Sequence, residues 1–176
     1  MTTQMAADDA ALRHEFVVGL RNAHALEHQA LAIMDRQIDH LAQYAEVEQR
    51  LRSHRGETER QIERLERILE SLDESHSTVK DMTMSITGTL AALGHSFAAD
   101  EILKNSFANI AFENFEKASY KALIIMAREA GYPDAVPLLE ETLREEEAMI
   151  VFLDETLPLI VTRYLSLRAA GEQASH

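Results

Sequence analysis

The segment FENFEKASYKAL, residues 112–123, has the apolar period of a buried helix, yet it sets Glu113, Glu116 and Tyr120 on its inner stripe. A helix packed against its neighbours normally carries Leu or Ile at such positions. An ionised carboxylate without a partner in an apolar core costs several kcal/mol, or it takes up a proton. The segment therefore predicts a helical bundle whose carboxylates either bind a cation inside or lean outward to solvent.

The composition indicates one helical domain. The chain has 176 residues, of which 46% are hydrophobic, with 6 Gly and 3 Pro. Thirty acidic against seventeen basic residues give a net charge of −13, which disfavours nucleic acid and an anionic membrane surface as partners. Cysteine is absent from the sequence, which excludes disulfides, thiolate zinc sites and cysteine nucleophiles. With no secretory-signal pattern and no apolar run of about 20 residues, we expect a cytoplasmic protein.

Four long segments carry the helical period. We predict helices at roughly 9–42, 45–72, 100–130 and 135–156. Short connections near Tyr44 and Tyr132 make two antiparallel hairpins, and Pro158 predicts a bend followed by a short C-terminal helix. Residues 73–99, rich in Ser, Thr, Gly and Met, break the period and form a long crossover between the hairpins. These features predict an all-α, ferritin-like four-helix bundle.

The boundaries of this bundle follow from where the period begins and ends. We expect a single domain over residues 9–168, with a flexible N-terminus at 1–8 and a flexible tail at 169–176.

Each of the four apolar stripes carries polar residues near its midpoint. They are His24 and Glu27 on the first helix, His54, Thr58 and Gln61 on the second, Glu113, Glu116 and Tyr120 on the third, and Glu146 on the fourth. Folding the hairpins at their turns brings Glu27 opposite Gln61, and Glu116 within about a turn of Glu146. Carboxylates that share one level repel one another unless cations bind them, as iron or manganese does in di-metal bundles. A rim position, with the carboxylates facing solvent, Arg60 or Arg64, stays the alternative.

Nitrogen ligands are scarcer than carboxylates on these stripes. Ferritin-type di-metal centres draw a Glu-x-x-His from each of two helices, and neither the second nor the fourth predicted helix contains that motif. The first two helices carry the reverse order, His24-x-x-Glu27 and His54-x-x-Glu57, which places both groups on one helix face. The fourth predicted helix has no histidine.

Four stretches of the chain resemble the bacterial YciE/YciF-type ferritin-like proteins, a family of small stress-associated proteins. They are LRNAHALEHQAL (20–31), ETERQIERLERILE (57–70), FENFEKASYKAL (112–123) and LLEETLREEEAM (138–149), and the similarity covers most of residues 15–157. The resemblance implies a ligand on each helix and a Glu145–Glu146 pair on the fourth. The metal ligands that follow are Glu27, Glu57, Glu113, Glu116 and Glu146. Their hydrogen-bonding neighbours are His24, His54, Gln61 and Tyr120.

Three positions depart from the family pattern. Gln61 and Asn114 stand where the family has histidine, and Ile150 stands where it has an acidic residue. An amide carbonyl can coordinate a metal weakly, whereas an isoleucine side chain cannot.

Two functional hypotheses follow. In the first, the bundle holds one or two ions of iron or manganese, and a redox-active centre would oxidise Fe(II) with oxygen or peroxide. In the second, a metal-free bundle acts as a structural or interaction protein through homodimerisation. The third helix favours a covered second face, because Phe107, Phe112, Phe115 and Met126 lie off the glutamate stripe, although residues 73–99 could cover that face instead. No catalytic residue is assigned, so whether the protein is an enzyme stays open.

Overall fold

The computed structural model describes residues 2–74 and 100–174, with side chains from residue 8 onward, as a bundle of four helices. Helix α1 spans Thr2–Ile38, α2 spans Ala45–Ser71, α3 spans Glu101–Glu129 and α4 spans Val136–Ala169. The prediction of an all-α bundle is confirmed, and the described ranges contain no strand. Apart from residues 73 and 74, the predicted crossover lies outside the described residues.

Two antiparallel hairpins build the bundle. Near the start of α1, Arg13 Nη2 donates to the carbonyl oxygen of Leu72, just after α2, at 2.7 Å. In the second hairpin, Arg128 at the end of α3 pairs with Glu140 near the start of α4 at 2.8 Å. Gly131 turns the chain between these helices with φ of +78°, a left-handed conformation that glycine adopts at little steric cost.

Two apolar clusters form the core, one toward each end of the bundle. The first includes Phe16, Leu20, Leu65, Leu123 and Leu139, and the second includes Met34, Ile38, Leu51, Phe112 and Leu153. On α2 and α4 the predicted polar positions lie between these clusters in sequence, as do His24 on α1 and the two glutamates on α3. Glu27 directly follows Leu26 of the second cluster, and Tyr120 belongs to the first. The clusters therefore keep water from the polar level on both sides.

Helix α4 continues through Pro158 to Ala169, so the predicted C-terminal helix is the end of α4 rather than a separate element. Proline supplies a helical φ, and its main cost is the hydrogen bond that its missing N–H would have donated to the preceding turn. Packing offsets that loss, since Ile160 is 1% exposed in the second apolar cluster and Tyr164 packs against the same cluster. Tertiary contacts thus override the local signal.

The structure describes parts of both segments that the sequence predicts to be flexible, and their flexibility stays a prediction. Helix α1 begins at Thr2, within the segment expected to be flexible. At the other end Ala174 is 2% exposed, and its carbonyl oxygen accepts a hydrogen bond from Tyr44 Oη at 2.8 Å. Across residues 2–74 and 100–174, no helix has the length and apolar character of a membrane span. The cytoplasmic location stays a prediction.

Candidate metal centre

Four glutamates from three helices lie at one level in the bundle interior. Glu27 of α1 and Glu116 of α3 are each 1% exposed, Glu113 of α3 is 5% exposed and Glu146 of α4 is 0% exposed. These are the four carboxylates that the stripes predict as a layer. They do not lean outward to solvent, so the rim alternative does not describe them.

Helix α2 contributes a histidine to this level. His54 Nε2 lies 3.1 Å from Glu113 Oε2 and 3.7 Å from Glu146 Oε2. Among the described residues, His54, Glu113 and Glu146 form the one group of three whose potential ligand atoms all lie within 4.8 Å of one another. The imidazole therefore faces the carboxylates with a nitrogen that can bind a metal.

Glu57 lies behind His54. Its Oε2 atom is 2.8 Å from His54 Nδ1 and accepts a hydrogen bond from Arg50 Nη1 at 2.9 Å. A carboxylate on the second imidazole nitrogen is the usual way to fix the orientation of a metal-binding histidine. The structure thus places His54 among the carboxylates and Glu57 behind it, the reverse of the arrangement that the resemblance implies.

The remaining predicted neighbours divide into two that join the layer and one that does not. The hydroxyl of Tyr120 donates a hydrogen bond to Glu27 Oε1. Gln61 Nε2 donates to Glu146 Oε1 at 2.5 Å and to Glu145 Oε2 at 3.0 Å. His24 Nε2 instead lies 3.2 Å from Glu66 Oε1.

Several buried oxygens at this level have no hydrogen-bond donor among the described residues. They are Glu27 Oε2, Gln61 Oε1, Glu116 Oε1 and Glu146 Oε2. A buried acceptor without a donor is unusual in a folded protein and requires an explanation such as a bound ion. Carboxylate and amide oxygens beside one imidazole are a donor set that suits Fe²⁺ or Mn²⁺, so the residues present fit the implied metal.

Proton affinities at this level are strongly shifted. Burial raises the pKa of Glu27 to about 8, although the Tyr120 hydroxyl and His54 act in the opposite direction. Burial, followed by repulsion from neighbouring carboxylates, raises the pKa values of Glu116 and Glu146 well above the ordinary value. Burial lowers the pKa of His54, but Glu113 and Glu57 outweigh it and raise that pKa to about 9. In the absence of a cation, protons partly neutralise the layer.

We expect Tyr120→Phe to lower the free energy of unfolding by about 1–3 kcal/mol, because the buried Glu27 carboxyl loses a donor. Urea unfolding near neutral pH measures the change. Tyr132→Phe is the matched control, since the Tyr132 ring stacks on Phe16 with centroids 5.7 Å apart and keeps that contact as phenylalanine. Equal losses in the two variants would show that the Tyr120 hydroxyl contributes nothing specific.

Comparison with known proteins identifies relatives of the whole bundle. A family model described as a domain of unknown function, DUF892, matches residues 11–166. Protein YciF of Escherichia coli (strain K12) is 32% identical over 117 residues, which are 62% of this chain and 68% of YciF.

Solved structures agree with this assignment. A protein from Xanthomonas campestris pv. campestris is 29% identical with a TM-score of 0.75, covering 90% of this chain and 99% of that chain. The crystal structure of the E. coli stress protein YciF is 25% identical with a TM-score of 0.71, covering 83% and 94%. YcfI from Rhodopseudomonas palustris, described as a putative structural protein, is 26% identical with a TM-score of 0.64, covering 81% of this chain and 92% of that chain.

Proposed function

The chain belongs to the DUF892 family, and we propose that it is a metal-binding protein that holds iron or manganese between its four helices. The observation that carries this proposal is the set of buried carboxylate oxygens without a donor among the described residues, on Glu27, Glu116 and Glu146. Buried carboxylates at one level repel one another, and a divalent cation that accepts their lone pairs removes both the repulsion and the lack of a partner.

The proposed ligands are the carboxylates of Glu27, Glu113, Glu116 and Glu146, together with His54 Nε2. In this arrangement Glu57 orients His54 rather than binding the metal. The four carboxylates would balance the charge of two divalent ions, or of one ion with two protons retained. Bound iron would supply one-electron chemistry, such as oxidation of Fe(II) by oxygen or peroxide.

Metal loading tests this proposal directly. The chain is purified without metal, incubated anaerobically with Fe²⁺ or Mn²⁺, passed through a desalting column and assayed for bound metal. We expect one to two ions per chain, because several ligands converge on a site that the bundle shields from water. Retention below about a tenth of an ion per chain for both metals would refute the proposal.

Self-association is a second candidate function, favoured by the outer face of α3. This face exposes Phe107 by 54%, Phe115 by 49%, Ile125 by 59% and Met126 by 37%. Phe112, which the helical period groups with them, is instead buried in the core. A groove of about 210 Å³ runs beside this face between α1 and α3, with Phe115 and Met126 in its lining.

The charge of α3 points to a second copy as the occupant of this face. Helix α3 lies wholly in the described part of the chain, and from Phe107 to Met126 its two carboxylates, Glu113 and Glu116, are both buried. Two copies of a protein with net charge −13 repel each other over most of their surface. They meet with least repulsion along a face that is apolar and free of exposed acids, so we propose a homodimer through α3.

We expect the wild-type chain to be a dimer at tens of micromolar by light scattering coupled to size-exclusion chromatography. Phe115→Asp is expected to give a monomer, because it places a charge in the apolar contact. Val151→Asp provides the control, since Val151 is 53% exposed on α4, and this variant should stay dimeric. A wild-type monomer, or equal dissociation of both variants, would contradict a dimer through α3.

A further inference from the structure

Arg64 is a buried arginine of α2 whose guanidinium group contacts α4. It is 7% exposed, and Nη1 and Nη2 donate to the two carboxylate oxygens of Glu145 at 2.7 and 2.9 Å. Nη2 also donates to Glu141 Oε1 at 2.6 Å, and Nη1 donates to Thr142 Oγ1 at 3.2 Å. A bidentate, charge-assisted pair of this kind fixes both the position and the orientation of the carboxylate.

The carboxylate that Arg64 holds lies next to the proposed metal centre. Gln61 Nε2 donates to Glu145 Oε2 at 3.0 Å and to Glu146 Oε1 at 2.5 Å, so one amide nitrogen bridges a proposed ligand and a carboxylate outside the ligand set. The charge of Glu145 also reaches the layer, since it contributes to the raised pKa of Glu27. The side-chain amide of Gln61 therefore links Glu145 to the proposed ligand Glu146.

We propose that Arg64 is a positioning residue that keeps Glu145 out of the proposed metal centre, with Gln61 as the spacer, and so limits the centre to four carboxylates. This inference rests on the proposed function. The geometry supports it because both Glu145 oxygens are engaged by the guanidinium, and one of them also accepts from Gln61. Coordination by Glu145 would require the buried guanidinium to lose its bidentate partner, which is unfavourable in a low-dielectric interior.

The number of carboxylates in the centre then determines whether it favours divalent or trivalent ions. Four carboxylates balance two divalent ions, whereas a fifth carboxylate would leave excess negative charge and favour tighter binding, above all of trivalent ions. Arg64 thereby keeps the centre suited to divalent ions. If Arg64 only joined α2 to α4, its replacement would loosen the bundle and would weaken metal binding or leave it unchanged.

Titration with Mn²⁺ tests this inference, with free Mn²⁺ counted by electron paramagnetic resonance. The set comprises wild type, Arg64→Met, Arg64→Lys and the double variant Arg64→Met/Glu145→Gln. We expect Arg64→Met to bind Mn²⁺ at least about tenfold tighter than wild type, because Glu145 becomes free to coordinate. Arg64→Lys retains the charge and is expected to stay within about threefold of wild type.

The double variant identifies the source of the gain. We expect Arg64→Met/Glu145→Gln to return to within about threefold of wild-type affinity, because the released ligand is removed. Unchanged or weaker binding by Arg64→Met would overturn the inference, and so would a gain that persists in the double variant.

Two further outcomes separate this inference from the proposed function. If wild type binds no Mn²⁺ while Arg64→Met does, the proposed function of the native chain fails and the role of Arg64 stands. If neither wild type nor Arg64→Met binds Mn²⁺, both the proposed function and the proposed role of Arg64 fail. Should Arg64→Met not fold, Glu145→Gln alone decides: an affinity equal to that of wild type supports the inference, and a loss of more than about tenfold shows that Glu145 is already a ligand and overturns it.

Discussion

Replacing Glu146 with Gln is expected to weaken Mn²⁺ or Fe²⁺ binding by at least about 100-fold, while the metal-free bundle keeps its stability. Glu146 is 0% exposed and belongs to the group of three potential ligands within 4.8 Å of one another, so its loss removes an anionic ligand from a closed site. The metal-free protein tolerates the change because burial raises the pKa of Glu146 and so favours the neutral acid, whose shape glutamine nearly shares.

Metal titration and urea unfolding of the same samples measure the two effects separately. The matched control is Glu147→Gln, since Glu147 is the next residue along α4 and its side chain is 42% exposed beside Lys117 and Lys121 at 3.5 Å. This control is expected to bind metal as the wild type does. Retention of wild-type affinity by Glu146→Gln would remove Glu146 from the ligand set.

The metal-free protein is expected to lose several kcal/mol of stability between about pH 4.5 and about pH 9. In that interval the unfolded chain releases the proton of Glu27 near pH 4.5, whereas the folded chain holds it up to about pH 8. The folded state then binds more protons than the unfolded state, so the free energy of unfolding falls as pH rises. Glu116 and Glu146, whose pKa values are also raised, act in the same direction.

The titration of His54 also lowers the free energy of unfolding as pH rises, but for a different reason. Its pKa rises from 6.5 in the unfolded chain to about 9 in the folded chain, so its ion pairs stabilise the fold fully below pH 6.5 and are lost as pH rises through 9. Acidic and basic groups at this level therefore both favour the metal-free fold at lower pH.

Bound metal is expected to reverse this dependence. A divalent ion replaces the protons of the layer, so metal binding releases protons and strengthens as pH rises. Thermal unfolding at about pH 5.5, 7 and 8.5, with and without Mn²⁺, compares the two slopes. The double variant Glu27→Gln/Glu116→Gln serves as the control and should show a flatter slope without metal. A free energy of unfolding that rises with pH in the metal-free protein would contradict the raised pKa values in this layer.

Helix periodicity predicts much of the inward face of α2, although Ile62, Arg64 and Leu69 are buried beside the stripe. The three predicted polar positions of its stripe, His54, Thr58 and Gln61, are buried, and so are residues that continue the same spacing, namely Val47, Leu51, Leu65 and Ile68. The signal is strong because a long helix must repeat its apolar face every three to four residues, whatever its neighbours are. The same holds for α3, where the predicted glutamates and Tyr120 are buried beside Leu123 and Ala127.

His54 and Glu57 show what a sequence motif can and cannot predict about the identity of a metal ligand. Residues three apart on a helix differ by about 60° in direction, so both point toward one broad face. Periodicity puts His54 on the stripe, and the structure does the same, whereas the resemblance implies Glu57 as the ligand. The identity of the ligand stays a prediction, because side-chain length and the position of Arg50 decide which group reaches the centre.

The local sequence does not predict the burial of Arg64 or the continuation of α4 through Pro158. The sequence indicates Arg64 only as a partner for rim carboxylates, since an arginine chain is long enough to reach solvent from many positions. It is buried because Glu141 and Glu145 of α4 meet it across the bundle, a contact that depends on how the two helices pack. Helix α4 continues through Pro158 for a similar reason, because Ile160 packs in the second apolar cluster and the local sequence does not show that contact.

Apolar clusters on both sides of the glutamate layer also govern the kinetics of any ion held there. Leu20 and Leu65 lie toward one end and Leu51 and Leu153 toward the other, each at most 2% exposed, so apolar side chains close both ends of the layer among the described residues. Residence time then follows the rate at which the helices part, not the strength of single coordination bonds. A chelator added in large excess should strip the ion at a rate that no longer depends on chelator concentration.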